Sequence, residues 1–183
     1  MSSTPLPLAR RVAEIPDLVW APFWEGVLIL LAGATALWSG HPWLFTSLGP
    51  TAYEIVEKPK QPSSCTWNVV VGHFVGIGCG FVAVAATGAW SAPTVNAHSM
   101  VTPVRMWAAA IAVVLTVIVN LLLKSGQPAA LATTLLVALG AMQTASAALW
   151  IAAGVCIIAI AGEPLRLLRL RGMRERERVE NTS

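Results

Sequence analysis

The apolar positions of this chain fall in long blocks: 27–37, 69–89, 108–119 and 129–162, the last without a single charge. A block of roughly 18 or more apolar residues with few charges reads as a membrane-spanning helix. The fourth block is too long for one crossing. Its 34 residues (129 to 162) would make a helix about 51 Å long at 1.5 Å per residue, against a hydrocarbon core of about 30 Å. The tract is therefore expected to fold back on itself at 143–146, leaving a short piece after Pro128 and a final helix from Ala147. Pro128 suits a helix's first turn, where its missing N–H costs nothing. So the stretch around KSGQPAA, which interrupts the apolar run, is expected to open a short, broken or tilted helix within the membrane.

Shifted by 78 positions, the chain matches itself weakly. SLGPTA (47–52) falls on SGQPAA (125–130), so Ser47, Pro50 and Ala52 meet Ser125, Pro128 and Ala130. Gly76 meets Gly154 and Ala83 meets Ala161. The shared order is a long helix, a Ser-x-x-Pro-x-Ala breaker and a second long helix, which suggests two similar halves. If the two short segments dip in and return, four spans result, with nine basic residues on the cytoplasmic side and three (Lys58, Lys60, Lys124) outside. If they cross, there are six spans and only Arg105 lies outside. The positive-inside rule favours the second arrangement, in which the halves are inverted, a common transporter plan.

Composition agrees with the pattern. Hydrophobic residues make up 56% and charged residues 11%, with mean hydropathy +0.68, far from the roughly 25% charge of a soluble domain. Pro5, Pro7, Pro16 and Pro22 interrupt any secretory signal. Most of the eight tryptophans (20, 24, 38, 43, 67, 90, 107 and 150) stand near block ends, as expected of an interfacial belt. Cys65, Cys79 and Cys156 have no metal or redox spacing. The tail RLLRLRGMRERER mixes six arginines with glutamates. It is expected to anchor topology at anionic headgroups and not to bind nucleic acid.

Polar residues at apolar depth carry the functional expectation, because burying them is costly without a partner or a purpose. Asn68 and His73 lie early in the second block, where Gly72, Gly76 and Gly80 recur every four residues and bare one helix face. That face is expected to pack closely against another helix and also to open a path on which His73 projects. Asn120 and Lys124 share a face, and Gln127 follows one turn later. The backbone around Pro128, like that at Pro50 and Thr51 in the first half, creates a helix start with free N–H groups, a natural place for a small anion. Lys124 either adds to that field or snorkels to headgroups. No Ser/His/Asp set, paired carboxylates, phosphate-binding loop, haem motif or metal spacing is present, so no enzyme activity, cofactor or metal is expected.

The runs SLGPTAYEIVEKPKQPSSCTWNVVVGHFVGIGCGF and LLLKSGQPAALATTLLVALG resemble the HPP family of integral membrane proteins, over roughly residues 24–163. Ser47, Leu48, Gly49, Ala52, Asn68, Gly72 and His73 match its first signatures. Its naming motif, His-Pro-Pro-Ala-Gly-Ala-Thr, falls at 127–133, where Pro128, Ala130, Ala132 and Thr133 fit. The histidine is replaced by Gln127, the second proline by Ala129 and the glycine by Leu131. Glutamine can hydrogen-bond there but cannot carry charge. The resemblance implies a polytopic membrane protein, and some plant plastid and cyanobacterial members are associated with nitrite transport.

The resulting expectation is an all-α membrane helix bundle of two similar halves, each with two long helices and a short broken or re-entrant one, four to six spans in all. Its parts are a cytoplasmic or interfacial segment (1–22), a first membrane half (23–92), a connecting loop (93–103), a second half (104–163) and a basic cytoplasmic tail (164–183). The expected function is transport of, or a channel for, a small solute, first a small inorganic anion such as nitrite. Ser47, Gly49, Pro50, Thr51, Asn68, His73, Asn120, Lys124, Gln127 and Pro128 are expected to line or frame the path. A homo-oligomer in the plasma (inner) membrane is expected, with both termini cytoplasmic. The alternative is a non-transporting scaffold or sensor acting through the basic tail.

Overall fold

The computed structural model describes residues 12, 14–41, 44–95 and 100–181. Arg10, Arg11 and Trp43, singled out above, lie outside the described residues, as does most of the 1–22 segment. The described residues form an all-helical bundle: α1 (Asp17–Ser39), α2 (Leu48–Glu57), α3 (Thr66–Thr87), α4 (Pro103–Leu122), α5 (Ala130–Ala138) and α6 (Ala145–Glu180). Single 3₁₀ turns precede and follow α3, at Pro62–Ser64 and Ala89–Ser91. Four helices, α1, α3, α4 and α6, are long and apolar enough to cross a membrane. The order long, short, long therefore occurs twice.

Local chemistry explains several boundaries. The break in the fourth block comes slightly earlier than expected, at Gly140, whose φ of +86° a residue with a side chain would resist. Thr144 then caps α6 by accepting from Ala147 N at 3.1 Å, and the helix begins at Ala145. The helix α1 starts at Asp17, six residues before the expected first membrane half, and keeps Pro22 inside it. α6 runs on through Pro164 for 36 residues, about 54 Å, well beyond a bilayer core, so the basic segment from 164 continues that helix.

Contacts at the two ends of the bundle set the direction of each helix. At one end, Thr66 Oγ1 donates to Glu163 (3.0 Å), Lys60 pairs with Glu177 (2.5 Å), and Arg169 holds the Val12 and Ile15 carbonyls and the Asp17 carboxylate. Asn68 Nδ2 reaches the Gly126 carbonyl at the same end (3.4 Å). At the other end, the His41 ring lies tilted against Trp150 (3.8 Å between centroids), Val95 N donates to the Leu139 carbonyl, and Arg105 bonds Ala92, Pro93 and Ala138. The short helices therefore carry the chain from one end to the other. Ten and nine residues supply only about 15 and 14 Å; irregular lead-ins (44–47 and 123–129) add to that reach. Such backbone is tolerated at membrane depth where neighbouring helices cover it. Of the ten described basic residues, Arg105 alone lies at the end opposite the tail.

The packing is exchanged between halves. α3 packs on α4 and α5, whereas α6 packs on α1 and α2, and α3 and α6 meet each other. The main apolar core, around Leu28, Leu48, Ile55, Ile151 and Ile158, joins α1, α2 and α6 to α3. Between α3, α4 and α5 the contact is made instead by Ala83, Ala112 and Ala138, small residues that let backbones approach. Trp38, Trp67, Trp90 and Trp107 point outward, as a belt requires. Trp20 does not: it is buried, with the Arg169 guanidinium 5.2 Å from its ring.

Candidate functional site

The glycine face of α3 is filled. A Cβ on Gly72 would lie 2.7 Å from Gln127 Cβ, one on Gly76 2.8 Å from the Ala130 carbonyl oxygen, and one on Gly80 2.8 Å from Val137 Cβ. The lead-in and body of α5 occupy the groove, so this stripe is a packing surface and offers no open channel. Gly162, not singled out from the sequence, does the same for α6: its Cβ would lie 2.7 Å from Ile55 Cγ2 of α2.

This close approach brings polar residues of α2, α3 and the α5 lead-in together. His73 is fully buried. Its Nδ1 lies 2.8 Å from the Val69 carbonyl, which can only accept, so Nδ1 carries a proton. Its Nε2 lies 3.2 Å from Thr51 Oγ1, which also donates to the Ser47 carbonyl at 2.8 Å. A hydroxyl has one hydrogen. With neutral His73 it is shared between Nε2 and the Ser47 carbonyl; with charged His73, Nε2–H donates to Thr51 and the chain of bonds runs in one direction.

Depth follows from α3 as a ruler. Thr51, the fourth residue of α2, meets His73, the eighth of the 22 in α3; Ala130, the first of α5, meets Gly76, the eleventh. The N-terminal parts of the two short helices thus lie in the middle of the bundle. Ser47 Oγ, at the start of α2, is buried with no hydrogen-bond partner. Gln127, 3% exposed, uses Oε1 to accept weakly from Ala129 N (3.4 Å), while its Nε2 has no partner.

Asn68 and Asn120 hold the loop that bears Gln127. Asn68 reaches the Gly126 carbonyl, and Asn120 accepts from both the Ser125 hydroxyl and the Ser125 N–H at 2.9 Å. Asn120, Gly126, Gln127, Pro128, Val117 and Leu131 border a cleft of about 280 Å³.

Three of the residues picked from the sequence stand apart. Lys124 occupies an exposed left-handed turn (φ 52°) that ends α4, so its ammonium lies outside the buried cluster. Pro50 is exposed and Gly49 has open space where a side chain would be; both sit on the outer face of α2.

Two residues join the cluster unforeseen. Glu54 follows Thr51 by one turn on α2, and the side chains of Ser63 and Gln127 act on its carboxyl at hydrogen-bonding range. No well-formed bond is completed: Glu54 Oε2, Ser63 Oγ and Gln127 Nε2 are each buried without a partner. The i, i+3 spacing of Thr51 and Glu54 was available in the sequence. Ser63 was not, since only the turn after α2 brings it back.

The chain matches the family model described as HPP, transmembrane region, over residues 10–166. No curated protein and no solved structure matches it. The match takes in the first five helices and α6 as far as Arg166. The chain belongs to the HPP family of integral membrane proteins.

Proposed function

We propose that the protein is a transporter or channel for a small solute, and that the solute is a small inorganic anion such as nitrite. The observation that carries this reading is the set of buried, unpartnered polar atoms, Ser47 Oγ and Gln127 Nε2 among them, at the starts of two short helices in mid-bundle. Unpaired buried polar groups cost free energy, and a solute that pairs them recovers it. Helix starts add oriented N–H donors and partial positive charge. The resemblance to nitrite-associated members of the family points the same way. The two halves are read as an inverted repeat around this centre. The tail end, with nine described basic residues, is assigned to the cytoplasm by the positive-inside rule, and the membrane to the plasma (inner) membrane. A homo-oligomer is expected, because so few helices hardly enclose a pore.

Uptake into liposomes tests the reading. Purified protein should give saturable nitrite flux, measured beside nitrate, formate and chloride. His73→Ala and Gln127→Ala should each lower it about 10- to 100-fold, the equivalent of losing a hydrogen bond to a charged group, about 1.5–3 kcal/mol. Lys124→Ala should leave it nearly unchanged. Flux insensitive to His73 and Gln127 would remove the path from this cluster. No flux of any of these anions from folded, inserted protein would favour the scaffold reading, in which removing the basic tail abolishes function.

A further inference from the structure

The two groups that the sequence did not place in the cluster change what can move through it. Gln127 Nε2 and Ser63 Oγ can both donate to an anion, but both also lie at hydrogen-bonding range of the Glu54 carboxyl, whose Oε2 is buried without a completed bond. A carboxylate there would repel an anion; a protonated carboxyl would donate to it. We propose, resting on the transport reading above, that Glu54 is a proton carrier, so that one proton accompanies each small monovalent oxyanion held by Gln127 and Ser63.

The step balances. The Glu54 carboxylate takes one proton from the aqueous phase at the tail end, forming its O–H bond. The neutral acid then donates to the arriving anion alongside the Gln127 amide and the Ser63 hydroxyl. On release the O–H bond breaks, proton and anion leave on the same side, and the carboxylate is restored. Net movement is one anion and one proton, with no net charge.

The surroundings suit this role. No salt bridge to Glu54 forms among the described residues, so no fixed cation holds it ionised by contact. The charge that acts on its carboxyl is Lys58 on α2 itself; His73 on α3 bonds Thr51, one turn away, and α6 carries Glu163 and Arg166. The last two pair with each other at 3.0 Å, and Thr66 occupies the second Glu163 oxygen. The α5 lead-in carries one charged residue, Lys124, in an exposed turn; at the position where the family motif has a histidine, Gln127 supplies a neutral donor. A titratable carboxyl one turn from Thr51 gives the site a proton-binding group that glutamine cannot provide.

The test uses the full chain in liposomes loaded with a pH-sensitive dye, a nitrite gradient and a potassium–valinomycin clamp. Uptake should acidify the lumen faster than in protein-free vesicles and should not respond to membrane potential. Glu54→Gln should lose at least about tenfold of the coupled acidification, whether or not anion still passes. Glu54→Asp, which keeps the carboxyl, should retain it and so separates coupling from folding. Nitrite uptake by the wild type that follows membrane potential without acidification would overturn the proposal and leave the transport reading standing. Full acidification by Glu54→Gln would also overturn it. Absence of flux for nitrite, nitrate, formate and chloride alike would remove the transport reading and this proposal with it.

Discussion

Arg105→Met is expected to destabilise the bundle by about 3 kcal/mol or more, the scale of breaking a buried charged network. Arg105 is fully buried at the third position of α4. Its Nη1 donates to the Ala138 carbonyl (3.1 Å), Nη2 to Ala92 (3.0 Å) and Nε to Pro93 (3.4 Å). The Gln143 amide, with its oxygen turned toward the guanidinium, accepts from both Nη atoms. One side chain thus ties the end of α5, the segment after α3 and the turn before α6 to the start of α4. The Ala138 carbonyl belongs to the last turn of α5, where a cation is also favoured by the helix dipole. Methionine fills much of the volume but leaves three carbonyls without a donor. Lysine keeps the charge, yet a single ammonium cannot reproduce a planar fork of donors aimed at separate segments, so Arg105→Lys should recover little. Thermal unfolding of the detergent-solubilised variants, followed by size-exclusion fluorescence, measures this. A methionine variant melting with the wild type would show that the carbonyls are satisfied by water at this end of the bundle.

This arginine also shows where sequence reasoning stops. Read as a topological charge, Arg105 is the lone exception on its side, and nothing local says that it is a buried tie. Of the four long helices, α3 and α6 were legible because the apolar blocks 69–89 and 129–162 exceed what a soluble element needs. The blocks 27–37 and 108–119 read as spans only beside the low charge of the whole chain. The short α5 was legible from length alone, since 34 apolar residues cannot cross once. Its boundary was misjudged by a few residues because Gly140, not the polar 143–146 run, makes the turn. Glu54 is not legible as a site residue, because its position depends on α2 being a helix whose Thr51 face turns inward. Lys124 had the right spacing after Asn120, but the helix ends between them, and a residue in a left-handed turn no longer shares the face. The exchange of α3 and α6 between halves left no mark in periodicity, because a bare glycine face does not say which helix will fill it.

Gly76→Val should cost about 3 kcal/mol or more, while Gly78→Val on the same helix should be close to neutral. Both replacements bear the same intrinsic helix propensity change, so the difference isolates packing. At Gly78 a Cβ meets nothing within 4 Å; at Gly76 it meets the Ala130 carbonyl oxygen and Thr134 Oγ1, each at 2.8 Å. Overpacking a well-filled contact costs about 1–3 kcal/mol, and the upper end applies here because one neighbour is backbone that cannot rotate away. To make room, α5 must move off α3, and that movement pulls on two further bonds. Thr134 Oγ1 bonds the Ala130 carbonyl and meets Thr116 Oγ1 of α4, both at 3.0 Å. The displaced segment also carries Gln127, whose Cβ sits where a Gly72 side chain would be. On the proposed transport function, Gly76→Val should therefore also lower nitrite flux in the fraction that stays folded, whereas Gly78→Val should change neither melting nor flux. Equal melting of the two variants would mean that α5 is held by its ends, at Asn68–Gly126 and Arg105–Ala138, and not by the glycine face.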